Sequence, residues 1–288
     1  MRALCHLLRM KLVLLTALTM IAFAANSVLN RMGLSQAGMD PMTFGAIRLV
    51  AGGLTLAALS LLFRGGVALG GPGRVAGVLS LLLYIFGFSL AYMRLDAGLG
   101  ALILFGTVQI TMFAGAVLAR ESLPPLRWLG ALVAFGGLAW LLWPTGQGAA
   151  VPVANAAMMV LAGIGWGVYS LVGRRAGDAL QATAANFLLA APLGFILWLL
   201  APVPIQSPPL MGSLLAVLSG AVTSGLGYAL WYSLLPALGA GRAAVAQLSV
   251  PVIAIAGGLL FLAEVPDLRF LIAAGVVLGG VALSLRAK

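Results

Sequence analysis

Long apolar runs separated by short polar, glycine-rich or proline-rich breaks set the rhythm of this chain. The runs cover about 11–30, 42–63, 75–93, 98–119, 126–143, 153–172, 182–201, 211–235, 243–263 and 267–285. Each is close to the roughly 20 residues that a helix needs to cross the hydrocarbon core of a bilayer. Inside lipid a backbone must satisfy its own hydrogen bonds, which for single runs of this length means helix. The breaks carry helix terminators: Gly65-Gly66, Gly70 to Gly73, Pro124-Pro125, Pro144 to Pro152, Pro202 to Pro209, and Pro266. The pattern predicts an all-α, polytopic membrane protein of ten transmembrane helices. The first run also has the outline of a cleavable signal, with Arg9 and Lys11 followed by Ala22-Phe23-Ala24.

A second pattern argues that this first run is kept. The landmarks between Leu95 and Leu142 return 143 residues later without a gap. Ala97-Gly98 meets Ala240-Gly241, Glu121 meets Glu264, Gly136-Gly137 meets Gly279-Gly280, and Ala139 meets Ala282. Ile110 and Ile253, Gly115 and Gly258, Val133 and Val276, and Leu142 and Leu285 match at the same offset. Chance would align many Ala, Gly and Leu in so apolar a chain, but not the rare Glu. The offset runs backwards too, pairing Ser27 with Ser170, Arg31 with Arg174 and Phe44 with Phe187. The expected organisation is one five-helix repeat over 1–143, a linker at 144–152 and a second five-helix repeat over 153–288. With an odd number of helices per half, the second copy enters the membrane from the opposite side. Such inverted repeats are related by a pseudo-two-fold axis in the membrane plane, and they place a substrate site at mid-membrane between the halves.

Composition agrees. The chain is 62% hydrophobic and 8% charged, with mean hydropathy +1.14, where a soluble domain would be about a quarter charged. The net charge of +10 does not point to nucleic acid, because the basic residues sit singly or in pairs between runs and form no continuous face. They also divide by side. Arg2, Arg9, Lys11, Arg64, Arg74, Arg120, Arg127, Arg174, Arg175, Arg242, Arg286 and Lys288 fall on one side, against Arg31, Arg94 and Arg269 on the other. Both termini are therefore expected in the cytoplasm. A single cysteine, Cys5, excludes an internal disulfide, and the single histidine, His6, lies in the N-terminal tail.

Ten helices in an inverted five-plus-five arrangement, with apolar runs ending in Ala119-Arg120-Glu121 and Ala263-Glu264, resemble the drug/metabolite transporter superfamily, EamA type. In that family a Gly-Glu or similar pair closes the fourth helix of each repeat and a glycine-rich fifth helix follows; here the pairs read Arg-Glu and Ala-Glu. The resemblance covers essentially the full length. It implies a carrier of small metabolites in the cell inner membrane, often an exporter of amino acids.

Candidate chemistry is sparse. Asp40, Asp96, Glu121, Asp178, Glu264 and Asp267 all fall at run ends or in loops. This argues against both a lipophilic-cation pump and a carboxylate proton relay. Glu121 and Glu264 are expected to cap or orient the turns into the fifth and tenth helices. Arg48 is the one charge well inside a run, about 10 Å along its helix from Pro41 at 1.5 Å per residue. An Arg at a helix centre costs about 2.5–3.5 kcal/mol. It either snorkels to the interface or faces a wet cavity and reads a substrate.

Polar and aromatic side chains gather on matching faces. The third run has Ser80, Tyr84, Phe88 and Tyr92 at four-residue spacing, and the eighth has Ser224, Tyr228, Trp231 and Tyr232. Asn26 and Asn30 lie in the first run, Trp166, Tyr169 and Ser170 in the sixth, Gln109 and Gln247 in the fourth and ninth, and Asn186 in the seventh. Any one of these serves equally well as glue between helices. Together they call for a cavity. Gly163 and Gly167, and Gly275 and Gly279, are spaced for close helix approach, and Pro192 and Pro251 are expected to interrupt the seventh and ninth helices.

The expected substrate-binding residues are Arg48, Asn26, Tyr84, Phe88, Gln109, Trp166, Tyr169, Asn186, Tyr228, Trp231 and Gln247. No cofactor, metal site or catalytic residue is expected: an intramembrane enzyme would need a nucleophile–base or metal set that these runs do not contain. The expected function is export of small metabolites, chiefly aromatic or hydrophobic amino acids, by alternating access. Efflux of lipophilic cationic drugs is the alternative. Expected partners are the small-molecule substrate and membrane lipids, with no nucleic acid, and the carrier is expected to be a monomer.

Overall fold

The computed structural model describes residues 2–121, 123–143, 151–174, 176–202 and 207–286. The 144–150 part of the expected linker, the charges Arg175 and Lys288 and the Pro204 break lie outside the described residues. Among the described residues, ten helices are long and apolar enough to cross a membrane. They are α1 Arg2–Arg31, α2 Pro41–Arg64, α3 Arg74–Tyr92, α4 Ala97–Leu118, α5 Pro125–Leu142, α6 Val153–Gly173, α7 Ala179–Leu200, α8 Leu210–Gly239, α9 Arg242–Leu262 and α10 Leu268–Arg286. The protein is an all-α, multi-pass membrane protein built from two inverted five-helix repeats.

Helix starts are set by local chemistry. Asp40 accepts from the Thr43 amide at 2.9 Å, with Pro41 fitting the first helical position of α2. Asp178 does the same for Gln181 at 3.0 Å, and Asp267 for Phe270 at 2.6 Å. Asp267, and not Glu264, thus caps α10.

Three expectations about helix interiors are corrected. Pro192 lies inside an unbroken α7, whereas Pro251 follows a break at Leu248, as expected when its missing N–H leaves the preceding turn without a bond. The eighth span is not a plain α-helix. Ser219–Leu226 is wound as a π-helix, and the chain breaks at Gly239, where φ is 70°. Gly275 and Gly279 meet nothing within 4 Å, so that pair makes no close approach.

Gly280, the next residue, does. A Cβ there would lie 2.6 Å from the Ala134 amide nitrogen, and α10 packs along α5 at this contact. Gly163 and Gly167 act as expected, since a Cβ on either would fall 2.6 Å from the Cβ of Thr107 or Thr111 on α4. Across the interface between halves, α3 lies along α6 and α2 along α7. Side chains from α1, α2, α3, α6 and α8 meet in the middle.

Candidate functional site

The centre is built around Arg48 on α2, which is 0% exposed. Its Nη2 donates to the Tyr84 hydroxyl at 2.9 Å and its Nε to Ser224 Oγ at 3.2 Å. The guanidinium carbon stands 5.1 Å from both the Tyr84 and Phe88 ring centroids, within cation–π range. Tyr84 and Phe88 are one helical turn apart on α3, so one face of that helix supplies both rings. The Arg48 Nη1 is buried and has no hydrogen-bond partner among the described residues. Among the described residues the ion pairs are Arg31–Asp96, Arg31–Glu264 and Arg64–Asp178, none of which involves Arg48. Snorkelling is therefore not the answer for Arg48. It is held inside with hydrogen bonds and aromatic faces but no ion-pair partner among the described residues, an arrangement that desolvation makes costly.

The π segment of α8 provides the other wall. Gly220 brings it against α2 so closely that a Cβ would lie 2.9 Å from Ala51 Cβ and 3.0 Å from Arg48 Cα. The extra residue per turn sets Ser219, Thr223 and Ser224 facing inward, all buried. Thr223 Oγ1 donates to Asn26 Oδ1 at 3.1 Å, and Ser219 Oγ donates to the same atom at 2.5 Å. Asn26 Nδ2 donates to the Tyr84 hydroxyl at 3.3 Å, and Ser89 Oγ donates to Asn30 Oδ1 at 3.0 Å. A continuous polar network thus joins α1, α3 and α8 to the arginine.

Aromatic rings close the remaining side. Trp166 packs 4.9 Å from Tyr84, 5.0 Å from Tyr228 and 5.4 Å from Tyr169, nearly parallel to the last. Phe23 meets Tyr228 and Trp231 edge-on, each at 5.7 Å. The void lined by Phe23, Asn26, Tyr84, Phe88, Trp166 and Tyr228 is about 10 Å³, roughly one water. A metabolite enters only if these helices separate.

Of the expected site residues, Arg48, Asn26, Tyr84, Phe88, Trp166, Tyr169, Tyr228 and Trp231 come together. Three do not. Asn186 accepts from Arg74 Nη1 at 2.7 Å at one end of the bundle. Gln109 lines a separate small void with Phe113, Ala134 and Ser284, and Gln247 sits half-buried in the turn before Pro251. Periodicity shows that an amide lies within a span, but not which neighbour its face meets. Phe23, Ser219, Thr223 and Ser89 went unread. Ser219 and Thr223 share a four-residue spacing that could have flagged them, but a wholly α-helical eighth span gives no reason to prefer that face.

A second cluster sits where α1 ends and α4 begins. Glu264 Oε1 accepts from Arg31 Nε at 2.9 Å, and its Oε2 accepts from the Ala97 amide at 2.7 Å. Arg31 Nη1 also donates to the carbonyls of Tyr92 and Met93, each at 3.1 Å. Glu264 therefore ties the two halves together and does not orient the turn into the tenth helix. Burial pushes its carboxyl above the ordinary range, against the Ala97 amide and Arg31, which favour the charged form.

Known proteins resemble this chain along almost its whole length. The model of the EamA-like transporter family matches residues 10–143 and again 154–286. The uncharacterised protein PA1977 of Pseudomonas aeruginosa is 45% identical over 272 residues, spanning 94% of this chain and 93% of that protein. A solved crystal structure at 21% identity covers 96% of this chain and 97% of its own, with a TM-score of 0.66, and so shares the fold.

Proposed function

The chain belongs to the EamA-like transporter family and is a membrane transporter; on that premise we propose that it exports small carboxylate-bearing metabolites, chiefly aromatic or hydrophobic amino acids, across the cell inner membrane by alternating access. The observation that carries this reading is the buried Arg48, which among the described residues has an unpartnered N–H and no carboxylate paired with it. A substrate carboxylate supplies the missing countercharge and takes the free donor, and a guanidinium's planar fork suits that group. The rings of Phe88, Trp166 and Tyr228 supply an apolar wall for a side chain, and the Asn26 network supplies acceptors for an ammonium. The same Arg48 repels a lipophilic cation, which disfavours cationic-drug efflux.

Counterflow in proteoliposomes against labelled amino acids, their amides and organic cations tests this. Acids are expected to exchange, and amides and cations to exchange poorly. Arg48→Gln is expected to reduce carboxylate exchange by tenfold or more, since a hydrogen bond to a charged group is worth about 1.5–3 kcal/mol, and to affect amides far less. An equal fall for acids and amides on folded protein means that Arg48 holds helices together and reads no ligand.

A further inference from the structure

The Glu264 cluster has an unmade twin. At the repeat offset of 143 residues, Arg31 corresponds to Arg174, Glu264 to Glu121 and Ala97 to Ala240. A left-handed backbone position repeats as well as the residue types. Ala263 and Arg120, each the residue before its glutamate, take the left-handed conformation at φ 54° and 55°. Glu264 N donates back to Gly258 O at 3.1 Å and Glu121 N to Ala116 O at 3.0 Å. Each glutamate thus follows a left-handed residue at the end of the fourth helix of its repeat, with its amide bonded six residues back for Glu264 and five for Glu121, at opposite ends of the molecule. The helix break at Gly239 falls at the repeat position of Asp96 before α4, so a helix begins after it at the position that answers Ala97.

The bonds themselves do not repeat. Glu264 and Arg31 are joined and largely buried, with side-chain exposures of 13% and 17%. Glu121 and Arg174 are both exposed, and among the described residues no hydrogen bond or ion pair joins them. One end is locked and its symmetry mate is open, although the parts for both locks are present.

We propose that Glu121 and Arg174 form the second lock, closing the opposite end of the carrier when the Glu264–Arg31 lock opens, and that the two ion pairs exclude each other. In that second state the Glu121 carboxylate takes Arg174 on one oxygen and the helix start after Gly239 on the other. Arg174 then reaches the carbonyls around Pro236, the residue at the repeat position of Met93. Pro236 leaves a carbonyl of the preceding turn without its helical partner, so that region already has acceptors to offer. Because the pseudo-two-fold exchanges the halves, the glutamate–arginine pair and the glutamate–amide bond lost at one end are remade at the other. The Arg31–Asp96 contact at 3.6 Å has no counterpart, since Gly239 stands at the position of Asp96, but Asp96 is 54% exposed and such a pair is worth little. Two states of similar energy follow, as a carrier that cycles requires. The purpose given to the locks rests on the transporter reading, but their exchange is testable with no substrate.

The experiment places spin labels at Leu118 and Gly177 in a Cys5→Ser background in nanodiscs, and measures the distance distribution between them. Leu118 is 85% exposed and Gly177 has open space around it, and each lies three residues from its lock partner. Glu264→Gln, which weakens the made lock, is expected to raise the ratio of short to long distances roughly tenfold, the scale of one charge-assisted bond. Adding Glu121→Gln is expected to abolish the shift, and the exchanged pair Glu121→Arg with Arg174→Glu to restore it. A distribution indifferent to Glu264→Gln, or a shift that survives Glu121→Gln unchanged, overturns the proposal. Counterflow on the same proteins separates the two readings. Switching distances with no carboxylate exchange uphold the locks and sink the proposed substrate class. Exchange with unmoved distances does the reverse.

Discussion

At the scale of single residues, the rarest side chains were the most legible. Arg48 stands out because a charge inside an apolar run needs a reason, and the structure supplies one in a buried network with a spare donor. The glutamates were legible as positions but not as partners. Nothing in Ala263-Glu264 tells that the carboxylate reaches an arginine 233 positions away in the chain, because the sequence orders neighbours along a helix and leaves open which helix faces it. The residue before each glutamate carries a measurable strain. A non-glycine residue in the left-handed region costs roughly 1–2 kcal/mol, and glycine occupies it freely. Ala263→Gly is therefore expected to stabilise the detergent-solubilised protein by about 1 kcal/mol, seen as a rise in Tm. An unchanged or lowered Tm means that the Ala263 methyl contributes packing worth as much as the strain.

At the scale of elements, the ten spans were readable because length and hydropathy suffice to identify a membrane helix, whereas helix winding and helix contacts were not. The π segment in α8 has no signature in residue type; Ser219–Leu226 reads as ordinary helix until the close approach of Gly220 to Arg48 is seen. The glycine spacings show the same limit. Gly163 and Gly167 face α4, but Gly275 and Gly279 face open space, and the contact with α5 falls to Gly280. Adjacent glycines thus make a paired test. Gly280→Ala drives a methyl into the Ala134 backbone and is expected to cost about 1–3 kcal/mol, the range for overpacking, while Gly279→Ala is expected to be neutral or slightly stabilising. Equal effects in thermal melts contradict the packing of α5 on α10 described above.

At the scale of the whole molecule, the 143-residue offset linked sequence to architecture, since one aligned pair of glutamates implied two halves and an odd helix count implied their inversion. Orientation in the membrane is expected to follow from the uneven division of Arg and Lys between the two sides. Reporter fusions at Lys288 and within 144–152 are expected to report opposite compartments, with Lys288 cytoplasmic. Reporters on the same side mean that a span has been miscounted. The symmetry is not complete, and one of its breaches is electrical. Arg48 corresponds to Ala191 in the second half, so the central charge belongs to one repeat and has no mirror image. In the alternating-access cycle proposed above, whatever fraction of the membrane voltage that guanidinium crosses acts on the empty carrier, at up to about 2.3 kcal/mol per 100 mV. A monoanionic cargo cancels the charge and makes its own passage indifferent to voltage, whereas a zwitterion leaves loaded and empty carriers equally driven. In that proposed cycle the membrane potential acts through a residue the carrier already contains, and the cargo's net charge decides which half of the cycle responds.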